Sequence, residues 1–386
     1  MKIAVLGAGA AGTAITRFLN QEKNVTSIRV LDRNGNALEE LEESVHSSKL
    51  RVHRVAIDKE MSVSGLLTGV ECIISALPFK HNYRAATIAL KAGIPYVDLG
   101  GDDNTTIKQL ALAEKAKEAN TIMIPNAGFA PGLVNILAMH GFESFEKVDS
   151  IIIRAAGLPK NPVPPLNYHL SFSPVGLVNE YLNKASIIEN GKSIEIDALD
   201  GYETCKLKAR PELGTLEAFY TSGSSTFIVR ELEGKVNTFD YKTLRYVGHR
   251  DIIKAIFELG FNSPQIIDIR SGITYKDLFI RQLKKNLPYT KEDIAVAKIN
   301  VTGSRSGQKF VREYEVYLES EANPDISAMM TVTSQSAVTT AMMIAEKKIT
   351  APGGVYIPEN ILPREEYIER MKSHGVNITI SETEAS

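Results

Sequence analysis

The chain has 386 residues, 44% of them apolar and 23% charged, with 44 basic against 46 acidic side chains for a formal charge of −2. That length holds two to three domains with full cores, and so ordinary a composition excludes disordered and fibrous classes. No basic block occurs anywhere, so the concentrated positive field that nucleic acid or an anionic membrane surface requires is missing.

In chain order, Ile3–Leu6 reads as a strand and Thr13–Asn20 as a helix with Ala14, Ile15, Phe18 and Leu19 on one face. Ser27–Asp32 is a second strand, followed by a helix striped by Leu38, Leu41 and Val45. Arg51–Asp58, Cys72–Ala76, Tyr96–Leu99 and Thr121–Ile124 supply four more strands, with helical stretches at Tyr83–Ala92 and Ile107–Ala119. This alternation predicts right-handed crossovers and a doubly wound parallel (Rossmann) sheet covered on both faces. After Pro125 the pattern changes. Gly157–Pro165 is a proline-rich connector, and Asn190-Gly191 is a hairpin turn between Ile187–Ile188 and Ser193–Ile196. Ala295–Val301 and Val311–Leu318 alternate as strands around Ser304–Gly307, and helices are expected at Val175–Leu182, Asp251–Leu259 and Lys276–Asn286. Helices at Ser336–Lys347 and Glu366–Ser373 close the chain. The expectation is a dinucleotide-binding domain over residues 1–126, completed by 334–386, and an α+β domain with a mixed or antiparallel sheet over 127–333.

Cys72 and Cys205 have no CxxC or Cys/His spacing, so neither structural zinc nor a disulfide framework is expected, and a reducing cytoplasm is the default. Glycines at 7, 9 and 12 break the apolar start, which runs into Arg17 unlike a secretion signal. Ala127 to Met139, interrupted by Pro131, is too short to span a bilayer.

Gly7-Ala8-Gly9-Ala10-Ala11-Gly12 is a GxGxxG segment between a strand and a helix. Gly7 permits the tight turn, Gly9 lets a pyrophosphate approach the backbone, and Gly12 allows close helix–strand packing. Asp32 ends the second strand about twenty residues on, where a carboxylate accepts from ribose hydroxyls and repels a 2′-phosphate, favouring NAD. Arg33 beside it is the complication, because a guanidinium there binds a 2′-phosphate or stacks on adenine. Ligands of open parallel sheets sit at the strands' carboxyl ends. That places Ser75, Ala76, Leu77, Pro78 and Leu99 at the cofactor, with Asp58 at the adenine end against the favoured role of a surface residue, and Asn126, Gly128 and Phe129 towards a substrate. Asp98, following Tyr96–Val97, is expected near the nicotinamide, against the plainer role of a loop or capping aspartate.

The GAGAAG, Val97–Gly101 and Gly128–Leu137 segments resemble the saccharopine dehydrogenase-like group. In the second domain, Gly157–Pro159, Pro164–Tyr168, Ser173-Pro174 with Asn179-Glu180-Tyr181, Ile188–Lys192, Leu216–Phe219 and Tyr241–Tyr246 with Gly248-His249 are similar to bacterial and archaeal L-lysine 6-dehydrogenases, as are Gly354–Tyr356 and Pro358-Glu359. The resemblance implies NAD-dependent oxidation of the lysine ε-amino carbon to allysine, with loss of ammonia and cyclisation to a piperideine carboxylate. It also implies a homodimer or higher homo-oligomer built on the second domain, and C-terminal helices that return to the first. The family often carries aspartate where this chain has Asn126, an amide that can neither take a proton nor neutralise an ammonium.

Hydride leaves only a neutral amine, whereas a lysine ammonium has a pKa of ~10.4, so such a site must remove a proton. Asp98 and His249 are the candidates, with Tyr168 a third and helix capping the competing role for His249. Arg245 is expected to clamp the substrate carboxylate bidentately, against a structural salt bridge. Phe172, Tyr181 and Phe219 read as core and His81 as an exposed loop residue, and no spacing supports a metal, which hydride transfer to NAD does not need. Two rivals stand beside this reading: a saccharopine or carboxynorspermidine type reductase acting on a secondary amine, and a nucleotide-binding module without turnover.

Overall fold

The computed structural model describes all residues except 171–172, 208–209, 288–289, 322–324 and 386, so Phe172 lies outside the described residues. It forms two compact units, Met1–His140 with Met330–Val376 and Gly141–Met329 with Asn377–Ser386.

In the first unit β1 (Lys2–Leu6), β2 (Ser27–Asp32), β3 (Leu50–Arg54), β4 (Cys72–Ser75), β5 (Tyr96–Asp98) and β6 (Ile122–Ile124) alternate with helices, and β17 (Gly354–Val355) joins from the C-terminal part. All seven pair in parallel in the order β17-β6-β5-β4-β1-β2-β3. Ile3, Ala4, Val5, Ile73 and Ile74 are fully buried, as a sheet covered on both faces demands. Helix Ala10–Gln21 buries Ala14, Ile15 and Leu19 but not Phe18. Chain order reverses about β1, which is flanked by β2 and β4, so a crevice opens beyond the carboxyl ends of β1 and β4. The third strand is shorter than the sequence pattern: β3 pairs only with β2, whose last partner is Asp32 opposite Arg54, and Asp58 falls in an exposed turn beyond it.

In the second unit β7 (Lys147–Pro159), β8 (Lys184–Glu189), β9 (Lys192–Asp197), β10 (Glu203–Cys205), β11 (Leu216–Phe219), β12 (Thr238–Tyr246), β15 (Asp293–Arg305), β16 (Gln308–Glu319) and β18 (Asn377–Glu384) form one sheet. β12 and β7 run parallel and the other pairs antiparallel, so the sheet is mixed. A separate hairpin joins β13 (Ile266–Asp268) to β14 (Ile273–Thr274). Asn190-Gly191 and Ser306-Gly307 both take positive φ at two successive residues, the turn whose twist matches antiparallel strands. Against one face pack helices Pro174–Glu180, His249–Glu258 and Tyr275–Asn286, burying Leu177, Val178, Ile253, Phe257, Phe279 and Leu283 with Tyr168, Tyr181 and Phe219.

Two expectations need correction. Gly157–Pro159 completes β7 rather than opening the connector: Pro159 pairs opposite Asp293, and the Lys160 amide beyond it still donates to the Glu292 carbonyl (3.1 Å). The compact units divide at 140/141 and 329/330. Residues 377–384 pair with β16 in the second unit's sheet instead of completing the first. That strand bonds through its backbone, and its side chains other than Ile378 and Ile380 are polar, which hid it from pattern reading. Among the described residues no helix is long and apolar enough to cross a membrane.

Candidate active site

The GxGxxG turn leaves β1 with the Gly7 amide bonded to the Leu31 carbonyl (2.8 Å) and the Ala76 amide to that of Leu6 (2.8 Å), which ties the ends of β1, β2 and β4 together. Gly7 sits at φ +105°, where a Cβ would press to 2.9 Å from the Ala76 oxygen, and a Cβ on Gly12 would overlap the Gly7 carbonyl. Gly9 is different. A Cβ there meets nothing within 4 Å, so the chain's own packing does not demand glycine. Gly9 is also the N-cap of helix Ala10–Gln21, without a side-chain cap or an acidic residue in the first turn, and Gly9 and Ala10 are exposed with Ala11 half-buried. Amides of a first helical turn lack intrahelical partners and carry the positive end of the macrodipole. The cradle therefore fits a diphosphate: what glycine at position 9 keeps clear is room for a group from outside.

Asp32 accepts from the Ala8 amide (2.7 Å) through Oδ2 and from the Asn34 amide (2.8 Å) through Oδ1, fixing its carboxylate beside the cradle with lone pairs to spare. Arg33 is exposed. Burial first, then the charges of Lys80, Arg33 and Arg84, hold the His81 imidazole below its ordinary pKa, with Asp58 opposing, so these groups share one rim. Ala76, Leu77 and Leu99 are half-buried and Pro78 is exposed at the strand ends. Ser75 is not available to a ligand: it is buried and its hydroxyl donates to Asn82 Oδ1 (3.0 Å).

Asp98 is the principal correction. It is 0% exposed; Oδ1 accepts from the amides of Gly100 (2.8 Å) and Asn126 (3.2 Å), and Oδ2 accepts from Gln109 Nε2 (2.6 Å). Desolvation raises its pKa although those donors, Gln109 first, pull it down. A carboxylate so enclosed organises the loops after β5 and β6. Asn126, Gly128 and Phe129 are buried too, and their polar atoms are engaged within the same loops. Asn126 holds a left-handed φ of 65° that Asn tolerates, and its Oδ1 accepts from Thr106 Oγ1 (3.1 Å). Gly128 bonds through its amide to the Pro131 oxygen (3.1 Å), and its oxygen and that of Phe129 accept from Leu133 and Val134 at the start of helix Leu133–Glu143.

The second unit brings Arg245, Tyr168 and His249 together. His249 is 0% exposed at the first position of helix His249–Glu258. Its Nδ1 lies 2.9 Å from the Leu166 carbonyl, which can only accept, so Nδ1 carries the proton. Burial, with Arg245 nearby, lowers its pKa to about 3, so the ring is neutral and Nε2 must accept from the Tyr181 hydroxyl at 3.0 Å. The Tyr181 oxygen is then the acceptor for Arg245 Nε (3.1 Å), while Nη1 donates to the Leu244 carbonyl (2.9 Å). The Tyr168 ring lies 4.8 Å from the guanidinium carbon and meets His249 edge-on. His249 is thereby corrected from proton acceptor to the fixed end of a hydrogen-bond chain that aims Arg245.

Three residues escaped sequence reading. Tyr181, taken as core, is the middle of that chain. Glu217 stands opposite Arg245 on β11 and accepts from the Gly248 (2.9 Å) and Arg250 (2.6 Å) amides, capping the helix that carries His249. Glu180 places Oε2 3.8 Å from Arg245 Nη2. Its signal was the Asn179-Glu180-Tyr181 segment at the close of helix Pro174–Glu180. On the sheet's other face Arg154 and Lys242 are held by Glu203 and Asp240, outside this cluster. Among the described residues no group of three or more His, Cys, Asp or Glu side chains is arranged for a metal.

A backbone-amide cradle at the switch point of a parallel sheet and a buried arginine cluster on a separate mixed sheet are the two candidate binding regions of the chain. Residues 3–124 match the Saccharopine dehydrogenase NADP binding domain and residues 128–376 the Saccharopine dehydrogenase C-terminal domain, so the chain belongs to the saccharopine dehydrogenase family. It is 28% identical over 276 residues to an alpha-aminoadipic semialdehyde synthase of Arabidopsis thaliana, covering 67% of this chain and 25% of that protein. To the saccharopine dehydrogenase [NADP(+), L-glutamate-forming] of Schizosaccharomyces pombe it is 26% identical over 267 residues, 67% of this chain and 58% of the relative. This chain thus aligns with only part of either relative's length. In fold it is similar to apo saccharopine dehydrogenase (L-Glu forming) from Saccharomyces cerevisiae, with a TM-score of 0.79 at 16% identity over the whole of both chains.

Proposed function

We propose that the chain catalyses NAD-dependent oxidative deamination of L-lysine at its ε-carbon, releasing ammonia and leaving allysine, which cyclises to piperideine-6-carboxylate. The observation that carries this reading is that, among the described residues, the cluster of Tyr168, Tyr181, His249 and Glu180 contains one cation, Arg245, held at 3% exposure by two directed hydrogen bonds. One anion receptor suits a substrate with one carboxylate; saccharopine, with three, calls for several. A bound nicotinamide supplies the hydride acceptor. The chain's own groups bind and orient: the amides after Gly9 take the diphosphate, Asp32 the ribose, and Arg245 over the Tyr168 ring the amino acid's carboxylate. Asp32 supports NAD; the grouping of Arg33, Lys80 and Arg84 around His81 favours NADP as the second reading. Assembly as a cytoplasmic homodimer or higher homo-oligomer belongs to the same proposal, supported by the exposed apolar side chains Leu259, Ile266, Ile267 and Ile269 of the second unit.

The test is product accounting with L-lysine and either dinucleotide. NADH and ammonia in equal amounts, with NAD preferred, is the expected result. Reduction only with saccharopine or a carboxylated polyamine, releasing a second amino compound, supports the alternative class, and no reduction with L-lysine at any pH overturns the proposal.

A further inference from the structure

We propose that Glu180 and Arg245 form one receptor for the zwitterionic head of an α-amino acid, the guanidinium taking the carboxylate and Glu180 the α-ammonium. The assignment of the carboxylate to Arg245 rests on the function proposed above; the role of Glu180 does not depend on which end of the ligand is oxidised.

The inference starts from what each charge in the cluster already holds. Arg245 is directed on one side, with Nε on Tyr181, Nη1 on the Leu244 carbonyl and its face over Tyr168, so its guanidinium cannot swing. Nη2 is left towards Glu180, but 3.8 Å is longer than a hydrogen bond. Among the described residues the Glu180 carboxylate accepts no hydrogen bond at all, and this separates it from Glu217 and Glu203 of the same sheet. Glu217 takes two amides, and Glu203 takes Arg154 and Lys242. A carboxylate beside a buried arginine that neither bonds it closely nor finds another donor is an incomplete pair, because desolvation is offset only when the remaining lone pairs are filled. Desolvation, partly countered by Arg245, pushes the Glu180 carboxyl up to about 7, in keeping with a missing cation.

An ammonium and a carboxylate on one Cα complete the pair. Set alongside, the ammonium meets Oε2 while the carboxylate meets Nη2, four charges alternating in sign. The approach is open, since the Glu180 side chain keeps 30% of its surface accessible while Arg245, Tyr168, Tyr181 and His249 are buried. A ligand with a carboxylate alone would instead bring its charge against Glu180. The receptor therefore selects α-amino acids over ω-amino acids, fatty acids and diamines.

Isothermal titration of the full chain with two ligand pairs tests this: L-norleucine against hexanoate, and L-lysine against 6-aminohexanoate. Each pair differs at the head by the α-amino group alone. The expected result is a preference of roughly 10- to 100-fold for the α-amino member, the span of a charge-assisted hydrogen bond. Glu180→Gln should erase that preference by weakening the α-amino members and, with the like charge gone, tightening hexanoate and 6-aminohexanoate, with the circular dichroism melt of the wild type retained, and Glu180→Asp should restore part of it. Equal weakening of both members by Glu180→Gln, or no α-amino preference in the wild type for either pair, overturns the inference. Norleucine has no ε-amine, so a preference for it with no oxidation of L-lysine would defeat the proposed reaction and spare the receptor; oxidation of L-lysine with no Glu180-dependent preference would do the reverse.

Discussion

The two candidate binding regions are built on opposite principles. In the first unit the cradle is defined by missing atoms: Gly7 and Gly12 lack a Cβ because the chain itself occupies the space, whereas Gly9 lacks one although the space is vacant. In the second unit the Arg245 cluster is defined by filled volume, with Tyr168, Tyr181, Phe219 and His249 packed ring to ring and the Tyr181 hydroxyl bonded to His249 Nε2. A cofactor held by backbone needs room, while a substrate recognised by one side chain needs that side chain immobilised. The same contrast separates the carboxylates: Asp98 accepts from three donors and Glu180, among the described residues, from none.

The largest effect that would break the comparison is at Gly12. Gly12→Ala drives a Cβ into backbone and should cost about 4 kcal/mol or prevent folding, read as a drop in melting temperature. A melt close to wild type would show that the turn relaxes easily. Next, Asp98→Asn replaces an acceptor of three donors with a group that is itself a donor, and should destabilise by about 2–3 kcal/mol. The pH profile of turnover should keep its shape; a lost limb would return Asp98 to the chemistry. A pH-dependent effect belongs to His249. Its folded pKa of about 3 lies below the unfolded value of about 6.5, so between those pH values the unfolded chain binds a proton that the folded one refuses. Stability is therefore full above pH 6.5 and falls as the pH drops towards 3, by at most about 1.4 kcal/mol per unit. Urea melts of His249→Gln should lose that slope, and an unchanged slope would assign it elsewhere. Smallest is Asp32→Ala, expected to weaken NAD roughly tenfold more than NADP on loss of the ribose hydrogen bonds. Equal loss of both would leave Asp32 only its bond to Ala8.

Much of the first unit was legible because a buried parallel strand writes itself as an apolar run, and because GxGxxG followed by Asp32 is a local pattern. The second unit was legible at its turns, Asn190-Gly191 and Ser306-Gly307, where φ dictates residue type, and less so at β7 and β18, where backbone pairing leaves side chains free. In the site, residue identity was readable and direction was not. Asp98 and His249 have the chemistry of proton carriers, yet each is turned inward by partners remote in sequence: Gln109 and Asn126 for one, Leu166 and Tyr181 for the other. Glu180 shows the converse, because the lack of a hydrogen-bond donor among the described residues is invisible to spacing.

Calorimetric titration of NADH into the wild type and Gly9→Ala, with the melt of each recorded, reaches the account most directly. A single site per chain in the wild type, at least tenfold weaker in Gly9→Ala at nearly unchanged stability, is expected from a vacancy kept for a diphosphate. Undiminished NADH affinity with alanine in that vacancy would contradict it.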